Sequence, residues 1–166
     1  SGSVSTAGDV NGDGFDDLII GPPEGVPDIA NGGAYGTGYV VFGKAGGFAA
    51  SLDLLDLDGS NGFRINGEAA YDYSGASVSA AGDVNGDGFG DLIIGAPSGL
   101  HVFKVGASYV VFGKADGFAD SLNLSTLNGR NGFKINGEAV RDTTGRSVSA
   151  AGDVNGDGFE DVIIGA

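Results

Sequence analysis

The chain has 166 residues with a formal net charge of −14, and 34 of its residues are glycine. Such an acidic chain lacks the Lys/Arg patches that nucleic acids and anionic membrane surfaces require, so neither is expected as a partner. The absence of cysteine excludes disulfides and thiolate metal sites, and no apolar run is long enough for a membrane span.

Short strands are predicted throughout the chain, bounded by Gly, Asn or Pro. In the middle of the chain they fall at 75–79, 91–95, 109–113 and 132–137. The Leu-Ile-Ile and Val-Val-Phe runs are typical of strands buried on both faces, whereas Phe-Lys-Ile-Asn alternates and predicts one wet face. Residues 115–129 form a longer excursion, for which we expect one helical turn. No amphipathic helix of ten or more residues is expected.

These strand signals recur with a period of about 70 residues. Residues 39–95 and 109–165 are identical at 42 of 57 positions. Four antiparallel strands per period are typical of a β-propeller blade. We therefore predict an all-β fold of four-stranded blades, incomplete at about two and a half blades. The predicted units are a first repeat at 1–72, a second at 73–142, and the first two strands of a third at 143–166.

Three nearly identical acidic loops begin with Gly-Asp-Val-Asn-Gly-Asp-Gly-Phe at residues 8, 82 and 152. Positions 1, 3, 5 and 9 of each loop carry oxygen side chains, and position 7 offers a backbone carbonyl, which is the ligand spacing that a hard cation such as Ca²⁺ uses. The sequence thus predicts about three Ca²⁺ ions. Their expected ligands are Asp9, Asn11, Asp13, Phe15 and Asp17, then Asp83, Asn85, Asp87, Phe89 and Asp91, then Asp153, Asn155, Asp157, Phe159 and Asp161.

The loops allow other interpretations. Position 12 is isoleucine within a predicted strand, where an EF-hand requires glutamate and a flanking helix. Magnesium is the lesser option because it favours octahedral, water-rich sites, and zinc or copper would want imidazole or thiolate ligands. The remaining alternative is a metal-free hairpin held by Asx turns. The aromatic rings at position 7 are expected to pack inward and anchor each loop.

The order of these motifs resembles the FG-GAP repeat: Gly-x-Ser-Val, then the acidic loop, then Asp91-Leu92-Ile93-Ile94-Gly95-Ala96-Pro97. That repeat builds the seven-bladed propeller of integrin α subunits and occurs in many secreted bacterial proteins. The resemblance implies an ion in the hairpin between the first two strands of each blade. It also implies an extracellular or cell-surface module for adhesion, recognition or scaffolding, with a protein or glycan ligand.

Two further functions remain open at this point. A seven-bladed ring would need about 490 residues at this period, so we expect either a segment of a longer repeat protein or self-assembly into a ring or filament through open blade edges. The third possibility is a non-catalytic propeller domain of a secreted carbohydrate-active or lipolytic enzyme. No catalytic site is predicted, because the only histidine, His101, is unrepeated and expected in a surface loop.

Overall fold

The computed structural model describes residues 2–22, 36–98 and 105–166, so His101 lies outside the described residues. Within them the chain forms strands and two 3₁₀ turns, Leu54–Asp56 and Leu124–Thr126, and no helix there is long and apolar enough to cross a membrane. The strands are β1 Val4–Gly8, β2 Asp17–Ile20, β3 Thr37–Val41, β4 Gly62–Asn66, β5 Ser77–Gly82, β6 Asp91–Ala96, β7 Ala107–Val111, β8 Ser121–Asn123, β9 Gly132–Asn136, β10 Ser147–Gly152 and β11 Asp161–Gly165.

The strands form three sheets in chain order. The first has the order β1-β2-β3-β4-β8, the second β5-β6-β7-β9, and the third consists of β10 and β11. All pairs are antiparallel except β4 with β8, which is parallel. The all-β prediction with four-stranded, blade-like sheets is confirmed, as is the helical turn at 124–126. The repeat boundaries at 72/73 and 142/143 stay predictions.

A β-bulge interrupts the first hairpin of every sheet at the same place. The register shifts between Thr6 and Gly8, and at the matched pairs Ala80/Gly82 and Ala150/Gly152. The bulged glycines have φ of 71°, 76° and 72°, a left-handed conformation that costs glycine little. The bulge ends the first strand and starts the acidic loop, so it sets where each loop leaves its sheet.

The fifth strand of the first sheet was not predicted. It belongs to a strap, residues 118–124, which leaves the second repeat and lies along β4 of the first. Arg64 pairs with Ser121, and the Asn66 amide donates to Asn123 Oδ1 at 2.9 Å. The Phe118 ring stacks on Phe63 with a centroid separation of 4.3 Å. The strap therefore covers an edge strand that would otherwise be open.

The burial of side chains in a sheet depends on how many other sheets pack against it. Every residue of β6 and β7 is buried, as predicted for these runs. At matched positions, Leu92 in the middle sheet is 1% exposed and Leu18 in the first is 47% exposed, while Ile93 is 0% and Ile163 in the third is 61% exposed. The middle sheet is packed on both faces, whereas each outer sheet is packed on one. Two core clusters result, one on each side of the middle sheet.

Candidate metal centre

Each acidic loop winds around the carboxylate at its first position. Asp9 Oδ1 accepts hydrogen bonds from the backbone N–H groups of Gly12 at 2.7 Å and Asp13 at 3.0 Å, and Oδ2 accepts one from Gly14 at 2.9 Å. Gly12 and Gly14 have φ of 75° and 87°. Asp83 and Asp153 accept the same three bonds in their loops. Both glycines have the left-handed backbone conformation that this turn requires.

The third and fifth positions are brought together beside the first. In the first loop, Asn11 Oδ1 accepts from the backbone N–H of Asp13 at 3.0 Å, and the Asn11 amide donates to Asp13 Oδ2 at 3.0 Å. Asp13 Oδ1 accepts from the backbone N–H of Phe15 at 2.9 Å. These are Asx-type turns, so the hydrogen bonds of the metal-free alternative are present in the loop.

The carboxylate at position 9 has a structural role that sequence reasoning missed. Asp17 accepts from the backbone N–H of Val10 at 3.0 Å and of Gly43 at 2.8 Å. Asp91 accepts in the same way from Val84 and Gly113, both at 2.9 Å. Each carboxylate thus ties its loop to the segment that follows the third strand. The repeated Phe-Gly-Lys at 42–44 and 112–114 was the available signal, since its glycine supplies the backbone N–H donor in both repeats.

Burial makes the ionised form of these two groups costly. Asp17 is 1% and Asp91 is 0% exposed. Desolvation raises the pKa of each carboxyl to about 6, and the nearby carboxylates at positions 1 and 5 add to the rise against the backbone hydrogen bonds. Asp17 and Asp91 are therefore protonated at a higher pH than an exposed aspartate.

The fit of the loops to a divalent cation depends on the type and the arrangement of their donor atoms. Among the described residues, no three Asp, Glu, His or Cys side chains are arranged to hold a metal ion. The available donors are nevertheless hard carboxylate and amide oxygens. Each oxygen of Asp13 accepts one of the bonds given above, while an ionised carboxylate has about four acceptor sites. The oxygen ligands are of the type that calcium prefers. To coordinate the ion, Asn11 and Asp13 must give up the hydrogen bond between their side chains. The ligand set and the three ions stay predictions.

The prediction that the position-7 rings pack inward is wrong. The rings of Phe15 and Phe159 are 41% and 46% exposed. The Phe89 ring lies over Gly12 of the preceding loop, so closely that a Cβ on Gly12 would overlap it, and Phe159 covers Gly86 in the same way. Glycine has no side chain, so an aromatic ring can lie directly against its backbone. The rings therefore join successive loops.

The contact between Phe159 and Gly86 gives a prediction that two equivalent glycine variants can test. Gly86→Ala is expected to cost about 1 kcal/mol more unfolding free energy than Gly156→Ala. The two glycines share a φ of 75° and 77°, so the backbone strain cancels. A Cβ at Gly86 meets the Phe159 ring, whereas one at Gly156 meets nothing within 4 Å. Urea unfolding in chelator measures both. Equal losses, or no recovery on adding Phe159→Ala to Gly86→Ala, would show that the ring is not seated there.

Comparison with known proteins places this arrangement among the FG-GAP repeats. The FG-GAP repeat family matches residues 1–42, 74–111 and 144–166, together more than half of the chain. The chain is 33% identical to integrin alpha-5 of Xenopus laevis over 164 residues, and 31% identical to integrin alpha-PS5 of Drosophila melanogaster over 163 residues. These alignments cover 99% and 96% of this chain, and 14% of each integrin chain.

A relative of another kind is phosphatidylinositol-glycan-specific phospholipase D of Dictyostelium discoideum. It is 32% identical over 168 residues, covering 95% of this chain and 17% of that protein. The chain therefore spans about one seventh to one sixth of the length of these relatives. The repeated match, the blade-like sheets and the three acidic loops agree: this chain belongs to the FG-GAP repeat family.

Proposed function

We propose that this chain is a calcium-binding, extracellular repeat module with an adhesion, recognition or scaffolding role. The observation that carries the calcium proposal is the threefold recurrence of one loop in which Asp, Asn and Asp side chains gather beside a position-9 carboxylate, which is buried in the first two loops. Similarity to integrin alpha chains supports the adhesion role and the cell-surface or extracellular location. By the same similarity, the partner is a protein or glycan ligand at the cell surface or in the matrix.

Calcium would act as a stiffener of the hairpins. A cation among the carboxylates offsets their mutual repulsion and the cost of burying the position-9 group. It would replace the side-chain bonds at positions 3 and 5 and leave the backbone cage around position 1 intact. Extracellular modules function with dissociation constants of about 10⁻⁴–10⁻³ M, because calcium outside cells is plentiful. Weak sites are therefore sufficient for this role.

Calcium titration tests the proposal. At a free calcium concentration equal to the dissociation constant, each site is expected to add about 0.4 kcal/mol to the free energy of unfolding, and the melting temperature rises with further calcium. Isothermal titration calorimetry should find about three sites. Asp87→Asn is expected to remove one of them. Magnesium at the same concentration should stabilise the chain less.

The matched control is Asp58→Asn. Asp58 lies outside the acidic loops, and its Oδ1 accepts from the backbone N–H and the hydroxyl of Ser60. This variant removes a turn carboxylate without touching a proposed ligand, so the number of calcium sites should not change. Absence of calcium binding at millimolar concentration would refute the metal proposal. The metal-free hairpin held by Asx turns would then be the correct description.

Self-assembly is a second candidate, and the exposed apolar residues of the two outer sheets favour it. Val4 and Leu18 of the first sheet are 68% and 47% exposed, Val154 of the third acidic loop is 73% exposed, and Ile163 of the third sheet is 61% exposed. Complementary surfaces at opposite ends lead to open or closed head-to-tail assemblies. Sedimentation at increasing concentration, with calcium and with chelator, should then reveal species larger than 16.3 kDa. A single monomeric species in calcium at every concentration would remove this candidate.

A propeller domain beside a catalytic domain is the third candidate, and the phospholipase D relative favours it. In that role this chain would contribute no catalytic group. It would position or stabilise a catalytic domain of the same protein. The calcium titration applies unchanged to that role.

A further inference from the structure

Each acidic loop is bonded to the next one along the chain through backbone groups. The Gly90 N–H donates to the Asp9 carbonyl at 2.8 Å, and the Glu160 N–H donates to the Asp83 carbonyl at 3.2 Å. Both bonds join position 8 of one loop to position 1 of the loop before it. The same contact therefore recurs at both junctions between the three loops.

The rings at position 7 reinforce this contact. The Phe89 ring lies against Gly12 of the first loop, and the Phe159 ring lies against Gly86 of the second. The Gly12 N–H donates to the Asp9 carboxylate at 2.7 Å. Each ring thus rests on the turn that encloses the first proposed ligand of the preceding loop.

A third contact connects the two buried carboxylates at position 9. The Lys114 N–H donates to the Val10 carbonyl at 2.9 Å, and the Val10 N–H donates to Asp17. The neighbouring Gly113 N–H donates to Asp91 at 2.9 Å. A short path of backbone groups therefore runs from the carboxylate of the first loop, through the Val10 peptide and the segment after β7, to the carboxylate of the second loop.

All of these contacts involve proposed ligands or their direct neighbours. Position 1 supplies a carboxylate, position 7 a carbonyl and position 9 a second carboxylate, and position 8 lies between the last two. Fixing positions 7 and 9 around an ion also fixes the position-8 N–H, which is bonded to position 1 of the preceding loop. That loop then loses less conformational entropy when it binds its own ion, which gives positive cooperativity without a large structural change.

Charge acts in the opposite direction. Each loop carries aspartate at positions 1, 5 and 9, so an ion in one loop lowers the attraction that this loop exerts on an ion in its neighbour. The carboxylates at positions 1 and 5 are exposed or only partly buried, and salt screens them over a Debye length of about 8 Å at physiological ionic strength. The two effects therefore differ in sign and in salt dependence.

We propose that the acidic loops form a coupled set, in which an ion bound in one loop raises the affinity of the neighbouring loops through the contacts of positions 7 and 8. This inference rests on the proposed calcium function and adds its regulation. The hairpins of successive blades become rigid together, over a narrower range of calcium concentration than three independent sites would require.

The test is a calcium titration of the whole chain in which nuclear magnetic resonance follows each loop separately, through the amides of Gly12, Gly86 and Gly156. Asp87→Asn removes the middle site. It should lower the calcium affinity of the first and third loops about fivefold, at the lower end of typical coupling factors. Higher salt should preserve this factor, because screening weakens only the opposing effect of charge.

Two phenylalanine variants separate the junctions, and each is the control for the other. Phe89→Ala keeps the backbone carbonyl at position 7 but removes the ring from Gly12. In that background Asp87→Asn should lose most of its effect on the first loop and keep its effect on the third. Phe159→Ala should give the reverse pattern. Either variant is sufficient for the test if the other does not fold.

The outcomes distinguish this proposal from the calcium function itself. If the first and third loops keep their affinities in Asp87→Asn, the coupling is overturned and the calcium function stands. If no calcium binds, both are overturned. A fivefold loss that is unchanged by the phenylalanine variants would also overturn the coupling, because the effect would then not pass through the contacts between loops.

Discussion

Replacing Asp91 by alanine is expected to lower the free energy of unfolding by about 4 kcal/mol in calcium-free buffer. The carboxylate is fully buried and accepts from the backbone N–H groups of Val84 and Gly113. Alanine leaves both donors without a partner, at a cost of about 1–3 kcal/mol each. Relief from burying the carboxylate returns part of this cost. Urea unfolding followed by circular dichroism in chelator measures the loss without any contribution from a bound ion.

The matched control is Asp161→Ala in the third loop. Asp161 is only partly buried and accepts from the backbone N–H of Val154 at 2.9 Å. Water reaches that donor, so we expect a loss of about 1 kcal/mol. Similar losses at both positions would mean that the link between the loop and the segment after the third strand adds little. The role assigned here to Asp91 would then be incorrect.

Phe118→Ala is expected to lower the free energy of unfolding by about 3 kcal/mol. The ring is part of an aromatic group, stacked on Phe63 and tilted against Phe42 at 5.9 Å. Removing a large aromatic side chain from such a cluster loses burial, leaves a cavity and removes the ring pairing. Because the ring holds the strap on β4, we also expect faster hydrogen exchange in Gly62–Asn66. Urea unfolding and hydrogen exchange measure the two effects.

The repeat provides the control for this change. Phe48 occupies the same position in the first repeat, and its ring is 55% exposed. Both rings have a lysine about 5 Å from the ring centre, Lys44 over Phe48 and Lys114 over Phe118, so that contact cancels in the comparison. Phe48→Ala should therefore change stability by less than about 0.5 kcal/mol. Equal effects would mean that the strap does not hold the edge of the first sheet.

The central strands were predictable because their signal is local. Leu-Ile-Ile and Val-Val-Phe are runs of β-branched, aliphatic and aromatic residues bounded by glycine, and β6 and β7 formed there with both faces buried. The glycines of the bulges and loops are a local signal too, since a left-handed backbone conformation favours one residue type. The family followed from the order of these local motifs.

The strap was not predictable in the same way. Ser121–Asn123 has no strand signature of its own, and it becomes a strand because β4, more than 50 residues earlier, offers an open edge. The direction of the position-7 rings also depends on a glycine in another repeat. Contacts of this kind arise from the packing of one repeat on the next, and no periodicity within one repeat encodes them. In the acidic loops, backbone donors were foreseen only in the alternative of Asx turns, and the bonds from Gly43 and Gly113 to the position-9 carboxylates were not predicted.

The strap also makes the sequence period and the folding unit different objects. Each complete repeat brings four strands to its own sheet, and the second repeat, through residues 118–124, adds a covering strand to the sheet before it. Each added repeat therefore covers the last strand of the repeat before it. Its own last strand stays uncovered until a further repeat follows. In a linear nearest-neighbour description, stability is the sum of the intrinsic stability of each repeat and the interaction free energy between neighbours. The strap contributes to the second of these terms. Lengthening the array by whole periods is then tolerated at every step, whereas excising the residues between β7 and β9 would uncover the edge of the preceding sheet.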